Sequence, residues 1–381
     1  MTTPLAALVA LAAGRDLGRL GDPAELVRDA AQHRLAPLLS AELARRGDQL
    51  GEPHDRRLAF EEMADRARTA AAGATLQWAA ERLATEGIMV GTAKGISAGM
   101  RWWPDPTLRP CNDVDLFVAP NDVARLGRIV TLLQPGYPGA SRLGELALGG
   151  SVQYVSFAPD LDGGANVDLH VDVTNLLCRT RQHDELWRRT VLQPLANGTA
   201  VRLLDPSLAV VHLAINQLRD GFPFLVQLVD LRFALADPAL DWDVVDRFVQ
   251  TEGWSFLVYG SLAYGCEVLG IDYRGPAPPT GWRRRLVEAS FPRSRRLRGR
   301  ATLESGWARQ WLVQAAMEGR GRESATAFAR RLFLPAAVLD QRSDLAGPYP
   351  IRLARYRTAQ LRRGAGGERV PATGARRGPH G

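Results

Sequence analysis

The stretch KGISAGMRWWPDPTLRPCNDVDLFV, residues 94–118, decides the fold of this chain. A short β-prone run, IMVGTAKG, leads into it, and its end DVDLFV (113–118) predicts a second strand. Between the two, ISAGMRWW is typical of a helix. Further strands are predicted in SVQYVSFA (151–158) and ANVDLHVDV (165–173), which are joined by the turn-forming PDLDGG. The middle of the chain is therefore predicted to hold a small mixed sheet.

Helical patterns surround this sheet on both sides. We predict an α+β fold with an N-terminal helical region (1–85), a sheet-containing core (86–204) and a C-terminal helical region (205–346). The apolar start MTTPLAALVALAAG has no basic run before it and is too short to span a bilayer, so it predicts a buried first helix. The polar, Gly- and Pro-rich end (347–381) predicts a disordered basic tail.

Composition narrows the class of protein. The chain has 381 residues, 46% of them hydrophobic, which is enough for a sizeable core. Its net charge of +7 fits contact with phosphates, nucleotides or an acidic partner. The three cysteines, Cys111, Cys178 and Cys266, are scattered and odd in number, which favours a reducing compartment, so we expect a cytoplasmic protein. No segment suggests a membrane partner.

Acidic residues alternate along two of the predicted strands. The period of two places Asp113 and Asp115 on one face of the first strand, and Asp168, His170 and Asp172 on one face of the other. Carboxylates that lie close together repel unless a cation neutralises them, and hard Mg²⁺ prefers carboxylate oxygens. The pattern therefore predicts a magnesium site. The Asp-x-Asp spacing is weak evidence alone, because it recurs in a Gly-rich turn at 160–162 and near a helix start at 241–243.

Three motifs in order carry a family resemblance. GTAKG (91–95), Arg109, NDVDLFV (112–118) and VDLHV (167–171) together resemble the DNA polymerase β-like nucleotidyltransferase superfamily. They are most similar to its bacterial family of uncharacterised nucleotidyltransferases, over about half the chain. The resemblance implies a nucleotidyltransferase core in the sheet. It also implies Mg²⁺-dependent transfer of a nucleoside monophosphate from an NTP, such as ATP, to a hydroxyl or phosphate of an unidentified small molecule, peptide or RNA.

The same resemblance implies roles for three carboxylates. Asp113, Asp115 and Asp168 would be catalytic and would hold the metal, with two Mg²⁺ ions expected. Asp168 would also help to activate the acceptor hydroxyl. Two positions depart from the family pattern, since Val171 replaces an aromatic residue and Asn216 replaces a histidine. These departures concern contacts with the acceptor more than the metal site.

Lys94 is the only lysine among 48 Lys and Arg residues. The resemblance implies that Lys94 and Gly95 lie by the triphosphate and that Arg109 also binds the nucleotide. An ammonium group is compact and can approach one phosphate oxygen, whereas a guanidinium is wide and bidentate. A tight turn beside a crowded phosphate site would therefore favour lysine. We expect the head of this turn lysine to be solvated.

Two other classes of function remain open at this level. GISAG (95–99) matches the serine-hydrolase elbow, in which Ser97 would be the nucleophile. The basic run WRRRLVEASFPRSRRLRGR (282–300) and the tail suggest a non-catalytic RNA-binding protein. Ser97 is better explained as a small residue that lets a helix pack closely, because an acidic site disfavours an oxyanion.

The pattern assigns no definite chemical role to three further residues. His170 is as consistent with a hydrogen-bonding structural histidine as with a catalytic one. His212 lies on an apolar helix face and is expected in the core. Asp230 is expected to brace the sheet from the helical side.

Overall fold

The chain is described by a computed structural model, with placed residues 3–150, 152–174, 176, 180–220, 224–290, 323 and 348–366. The α-helices of these ranges are α1 (Pro4–Ala12), α2 (Pro23–Gln32), α3 (Ala36–Arg46), α4 (His54–Ala84), α5 (Lys94–Trp102), α6 (Leu126–Leu133), α7 (Leu143–Leu148), α8 (His183–Arg188), α9 (Pro206–Asp220), α10 (Leu225–Leu235), α11 (Trp242–Glu252), α12 (Ser255–Leu269), α13 (Gly281–Ser290) and α14 (Tyr349–Gly366). The strands are β1 (Val90–Thr92), β2 (Asp113–Val118), β3 (Tyr154–Phe157), β4 (Asn166–His170), β5 (Thr190–Pro194) and β6 (Ala200–Leu204). Short 3₁₀ turns lie at Pro106–Leu108, Pro120–Arg125 and Ala140–Arg142.

Across the described ranges the strands form one six-stranded sheet in the order β3-β4-β2-β1-β6-β5. β2 runs parallel to β4, and β1 runs parallel to β6. The remaining neighbours, β1–β2, β3–β4 and β5–β6, are antiparallel. A mixed sheet with helices before and after it in the chain confirms the α+β prediction.

The β5–β6 hairpin extends the sheet beyond the strands that the sequence patterns predict. Its loop contains Asn197 and Gly198, and Gly198 has a left-handed φ of 81°. Asn-Gly between two strands is a strong hairpin signal, because its backbone adopts the positive φ that a tight turn requires. The flanking residues alternate poorly between apolar and polar, so periodicity alone does not reveal these strands.

Two apolar cores hold the molecule together. One lies on the back face of the sheet, where Leu116 and Leu169 pack with residues of α4, α6 and α7. The other joins the two helical regions, because Leu39 of α3 belongs to the same buried cluster as Val229 of α10 and Leu257 of α12. The front face of β2 carries Asp113 and Asp115 together with Phe117, which belongs to this second core.

The described residues cover only part of the segment for which a C-terminal tail and a basic run are predicted. Residues 349–366 form α14, a helix within the segment expected to be a disordered tail, and 367–381 lie outside the described residues. The basic run begins in α13, and its residues 291–300 also lie outside them.

Two further expectations concern the cysteines and the membrane. Cys111 and Cys266 are free and buried, and Cys178 lies outside the described residues. Among the helices that the structure describes, each is too short or too polar to cross a bilayer.

The close approach of β1 and β2 gives a first prediction. A Cβ on Gly91 would lie 2.1 Å from the ring of Phe117, whose position is fixed by an edge contact with Trp187 at 5.8 Å between ring centroids. We expect Gly91→Ala to lower the free energy of unfolding by about 1–3 kcal/mol, as overpacking does. Gly73→Ala in α4 is the control: nothing lies within 4 Å of its added Cβ, so it should be neutral or stabilising. Equilibrium unfolding in denaturant measures both, and equal stability of the two variants would contradict this packing.

Candidate active site

Two carboxylates meet at the centre of the sheet. β2 and β4 are parallel neighbours, and their register sets Asp115 directly beside Asp168. His170 lies two residues further along the same face of β4 and is buried. One ligand atom from each of Asp115, Asp168 and His170 lies within 4.8 Å of the others. Strand alternation predicts the shared face, and the parallel pairing brings the two strands together.

Lys94 faces this group from the first residue of α5. Its Nζ forms an ion pair with Asp115 Oδ1, and its side chain is only 14% exposed. The expectation that the lysine head is solvated is therefore wrong. Lys94 also has a left-handed φ of 56°, a conformation that costs a non-glycine residue of order 1–3 kcal/mol. The fold holds this strained turn so that the ammonium reaches the carboxylate.

The charges of Asp115 and His170 depend on each other. Burial alone would raise the pKa of Asp115, but the positive charge of Lys94 and the hydrogen bond from His170 hold it well below its usual range. His170 Nε2 lies 2.9 Å from Asp115 Oδ1, to which it donates. Burial, and then Lys94, lower the pKa of His170 although Asp115 opposes them, so the imidazole is neutral. Its Nδ1 has no hydrogen-bond partner within the described part of the chain.

Asp113 and Asp172 lie on either side of this cluster. Asp113 is at the exposed start of β2, and desolvation together with Asp115 and Asp168 raises its pKa. Asp172 follows the end of β4, so the strand alternation that predicts it on the face of Asp168 no longer applies there. Its carboxylate instead accepts hydrogen bonds from the backbone and hydroxyl groups of Thr174 and Thr180, at 2.6–3.0 Å. Asp172 therefore fixes a loop next to the site.

Gly95 and Arg109 lie against each other beneath the Lys94 turn. A Cβ on Gly95 would be 2.9 Å from the Arg109 guanidinium and 2.9 Å from the sulfur of Cys111, so only glycine fits without displacement. Arg109 is 7% exposed. Desolvation would lower the pKa of Arg109, but the charge of Asp230 and the hydrogen bonds to it, with smaller contributions from Cys111 and Asp113, together shift it upward. The guanidinium thus faces the protein interior.

Asp230 of α10 holds that guanidinium and a tryptophan together. Its carboxylate accepts from Arg109 Nη2 at 2.6 Å and from Trp103 Nε1 at 2.8 Å, and it is fully buried. Trp103 follows the last residue of α5, whereas Arg109 packs on Gly95 near its first. One carboxylate from the C-terminal helices therefore fixes both ends of α5. Asp230 is expected from the sequence to brace the sheet from the helical side, but its described contacts are to residues beside α5 and not to a strand.

Ser97 does not have the contacts of a hydrolase nucleophile. It lies within α5, and its hydroxyl donates to the backbone carbonyl of Lys94 at 3.0 Å. Ser97 and His212 line one small pocket between α5 and α9. However, His212 Nε2 lies 3.0 Å from the carbonyl oxygen of Val173 and donates to it. Burial, followed by the charge of Lys94, lowers the pKa of His212 to about 3, which makes it a poor base. The serine-hydrolase alternative therefore has no supporting geometry among the described residues.

The Asp230 network makes a stability prediction. Asp230→Asn would leave the Arg109 guanidinium buried without its counter-charge, and breaking a buried pair in this way costs about 3–5 kcal/mol. Glu288→Gln makes the same carboxylate-to-amide change in an exposed pair with Arg284 and should change stability little. Thermal and denaturant unfolding of both variants measure the difference. If Asp230→Asn were as stable as Glu288→Gln, Asp230 would not be holding α5.

Comparison with known proteins agrees with this geometry. No curated protein and no solved structure matches the chain. Residues 20–270, well over half of the chain, match the family described as "Uncharacterised nucleotidyltransferase". That span contains the strained Lys94 turn and both carboxylate strands. The chain therefore belongs to this family and is a nucleotidyltransferase.

Proposed function

We propose that the protein transfers a nucleoside monophosphate from an NTP, with ATP the first candidate, to a hydroxyl or phosphate oxygen of an acceptor. One observation carries the proposal: Asp115 and Asp168 lie side by side on parallel strands, with a lysine held over them by a strained turn. Carboxylates are gathered in this way where a cation and a polyphosphate bind. Family membership supports the same reaction type.

The reaction is an in-line displacement at the α-phosphorus. An acceptor oxygen forms a bond to that phosphorus, the bond from the phosphorus to the bridging β-oxygen breaks, and pyrophosphate leaves. Asp168 is half-buried, and we assign it the role of accepting the proton of an acceptor hydroxyl. Asp115 stays charged throughout, because Lys94 and His170 stabilise its carboxylate.

The donor atoms of the site fit a hard divalent cation. Asp115 and Asp168 supply oxygen ligands within 4.8 Å of each other, and Asp113 lies two residues before Asp115 on the same strand. These three carboxylates would hold Mg²⁺, with two ions expected from the wider superfamily, and the cation would neutralise charge on the phosphates. His170 donates to Asp115, so we assign it the role of orienting that carboxylate.

The Lys94 turn would bind the phosphates. Its ammonium is paired with Asp115 in the protein alone, and it has two further N–H groups for phosphate oxygens. Gly95 lets the turn lie close to Arg109. The guanidinium of Arg109 is paired with Asp230, so we propose that Arg109 acts on the nucleotide by positioning the turn.

The acceptor is proposed only as a class. A small molecule, a peptide and an RNA each carry a suitable hydroxyl or phosphate. RNA draws support from the basic start of α13, where Arg283, Arg284 and Arg285 follow one another. The buried free thiols of Cys111 and Cys266 favour a reducing compartment, so we also propose that the protein works in the cytoplasm.

Asp168→Asn tests the assignment of chemistry. At saturating Mg²⁺ it should lower kcat by about 10²–10⁴-fold, the range for loss of a general base, with little change in nucleotide affinity. The assay is pyrophosphate release from each NTP with Mg²⁺ and a panel of small-molecule, peptide and RNA acceptors.

Asp162→Asn provides the matched control. Asp162 belongs to the Asp-x-Asp pair in the β3–β4 turn, is exposed, and should leave turnover unchanged. Wild-type kcat in Asp168→Asn, or an equal loss in both variants, would rule out the proposed role of Asp168.

A further inference from the structure

A small pocket lies beside the Lys94–Asp115 pair, between α5, β6 and α9. Lys94 and Ser97 line it at the start of α5, and Arg101 and Trp102 line it at the end of the same helix. Leu204 and His212 belong to the opposite wall. Lys94 also pairs with Asp115, so the pocket lies next to the carboxylate cluster.

The pocket is lined by two cationic side chains, of which Lys94 is already paired with Asp115. Its cations are Lys94 and Arg101, and its described lining includes no acidic side chain. The Arg101 guanidinium donates to the backbone carbonyl of Leu204, and it makes no ion pair with any described carboxylate. It is partly buried, and this desolvation lowers the pKa of Arg101. Asp237 and Asp205 compensate this guanidinium only through their nearby charges and do not pair with it directly, so the geometry leaves Arg101 with donors for an anion.

The other walls are neutral and already fixed. Trp102 Nε1 donates to Asp237 Oδ2 at 2.9 Å, which holds the indole ring in place. His212 is uncharged, and its Nε2 is bound to Val173, so it adds no positive charge of its own. The Ser97 hydroxyl donates to a backbone carbonyl, which leaves its oxygen able to accept. The pocket therefore offers strong donors at Lys94 and Arg101 within an otherwise uncharged frame.

We propose that this pocket is a phosphoryl-group subsite in which Arg101 contacts the substrate directly. The proposal rests on the nucleotidyl transfer set out above, because the group it binds belongs to one of that reaction's substrates. The phosphoryl group has two sources, the terminal phosphates of the NTP or a phosphate carried by the acceptor. An arginine suits either, since its planar donors match two oxygens of one phosphate.

Calorimetric titration with defined probes tests the subsite. The probes are Mg²⁺ with ATP, AMP, inorganic pyrophosphate and inorganic phosphate, and the key variant is Arg101→Gln. Loss of a charge-assisted hydrogen bond should weaken phosphate binding about tenfold or more. Weaker binding of ATP and pyrophosphate with unchanged AMP assigns the subsite to the nucleotide's terminal phosphates. Unchanged ATP, with weaker inorganic phosphate in the presence of a saturating non-hydrolysable ATP analogue, assigns it to the acceptor.

Two further variants separate the subsite from general effects of charge and folding. Arg202→Gln removes the same charge from β6, but that guanidinium donates to Thr190 and lies over the ring of Trp187, so its binding should match wild type. Arg101→Lys keeps the charge and should recover part of the lost affinity. Melting temperatures identify any variant that fails to fold.

The outcomes are independent of turnover. Every titration can be repeated at saturating Mg²⁺ on the Asp168→Asn background, where transfer is strongly slowed and binding remains measurable. If Arg101→Gln binds all four probes like wild type, and also phosphate in the presence of the ATP analogue, the subsite is disproved, whatever the transfer activity. A wild-type protein that binds phosphate through Arg101 but transfers no nucleotide would instead contradict the proposed reaction and leave the subsite standing.

Discussion

The arrangement of the rest of the site depends on one buried carboxylate on a central strand of the sheet. Asp115 is 5% exposed, and an isolated charge at such a depth would be strongly unfavourable. Lys94 and His170 compensate it, one as a cation and the other as a neutral hydrogen-bond donor. Each partner has a cost of its own: a left-handed backbone at Lys94, and at His170 an Nδ1 without a hydrogen-bond partner among the described residues. The fold keeps the Asp115 charge although both of its partners cost stability. This indicates that the charged carboxylate has a function.

Helices outside the sheet hold this arrangement in place. Asp230 on α10 fixes Arg109 and Trp103, and these two residues bracket α5, whose first residue is Lys94. α10 in turn belongs to the core that joins the N-terminal and C-terminal helices. The position of one ammonium group thus depends on packing across most of the described chain. The family match, over residues 20–270, includes α10 and α12 as well as the sheet.

The sequence predicts those features that follow from local period and motif order. Alternation in DVDLFV and NVDLH anticipates which side chains share a face, and the parallel pairing of the strands then sets Asp115 beside Asp168. Features that depend on distant contacts were not predictable. The burial of Arg109 requires Asp230, which lies 121 residues away, and the partner of His170 lies 55 residues before it. Alternation does not hold for the predicted face of Asp172, because β4 ends at His170, a boundary that alternation does not mark.

Binding of a divalent cation at the carboxylates can be measured without any knowledge of the acceptor. Mn²⁺ can replace Mg²⁺ at oxygen-rich sites, and its free form gives an electron paramagnetic resonance signal that falls on binding. Titration of wild type should show saturable loss of this signal, strengthened by ATP, and both Asp115→Asn and Asp168→Asn should weaken it by at least tenfold while remaining folded. Wild type that leaves the Mn²⁺ signal unchanged, or variants that bind Mn²⁺ as wild type does, would contradict a cation site at these two strands.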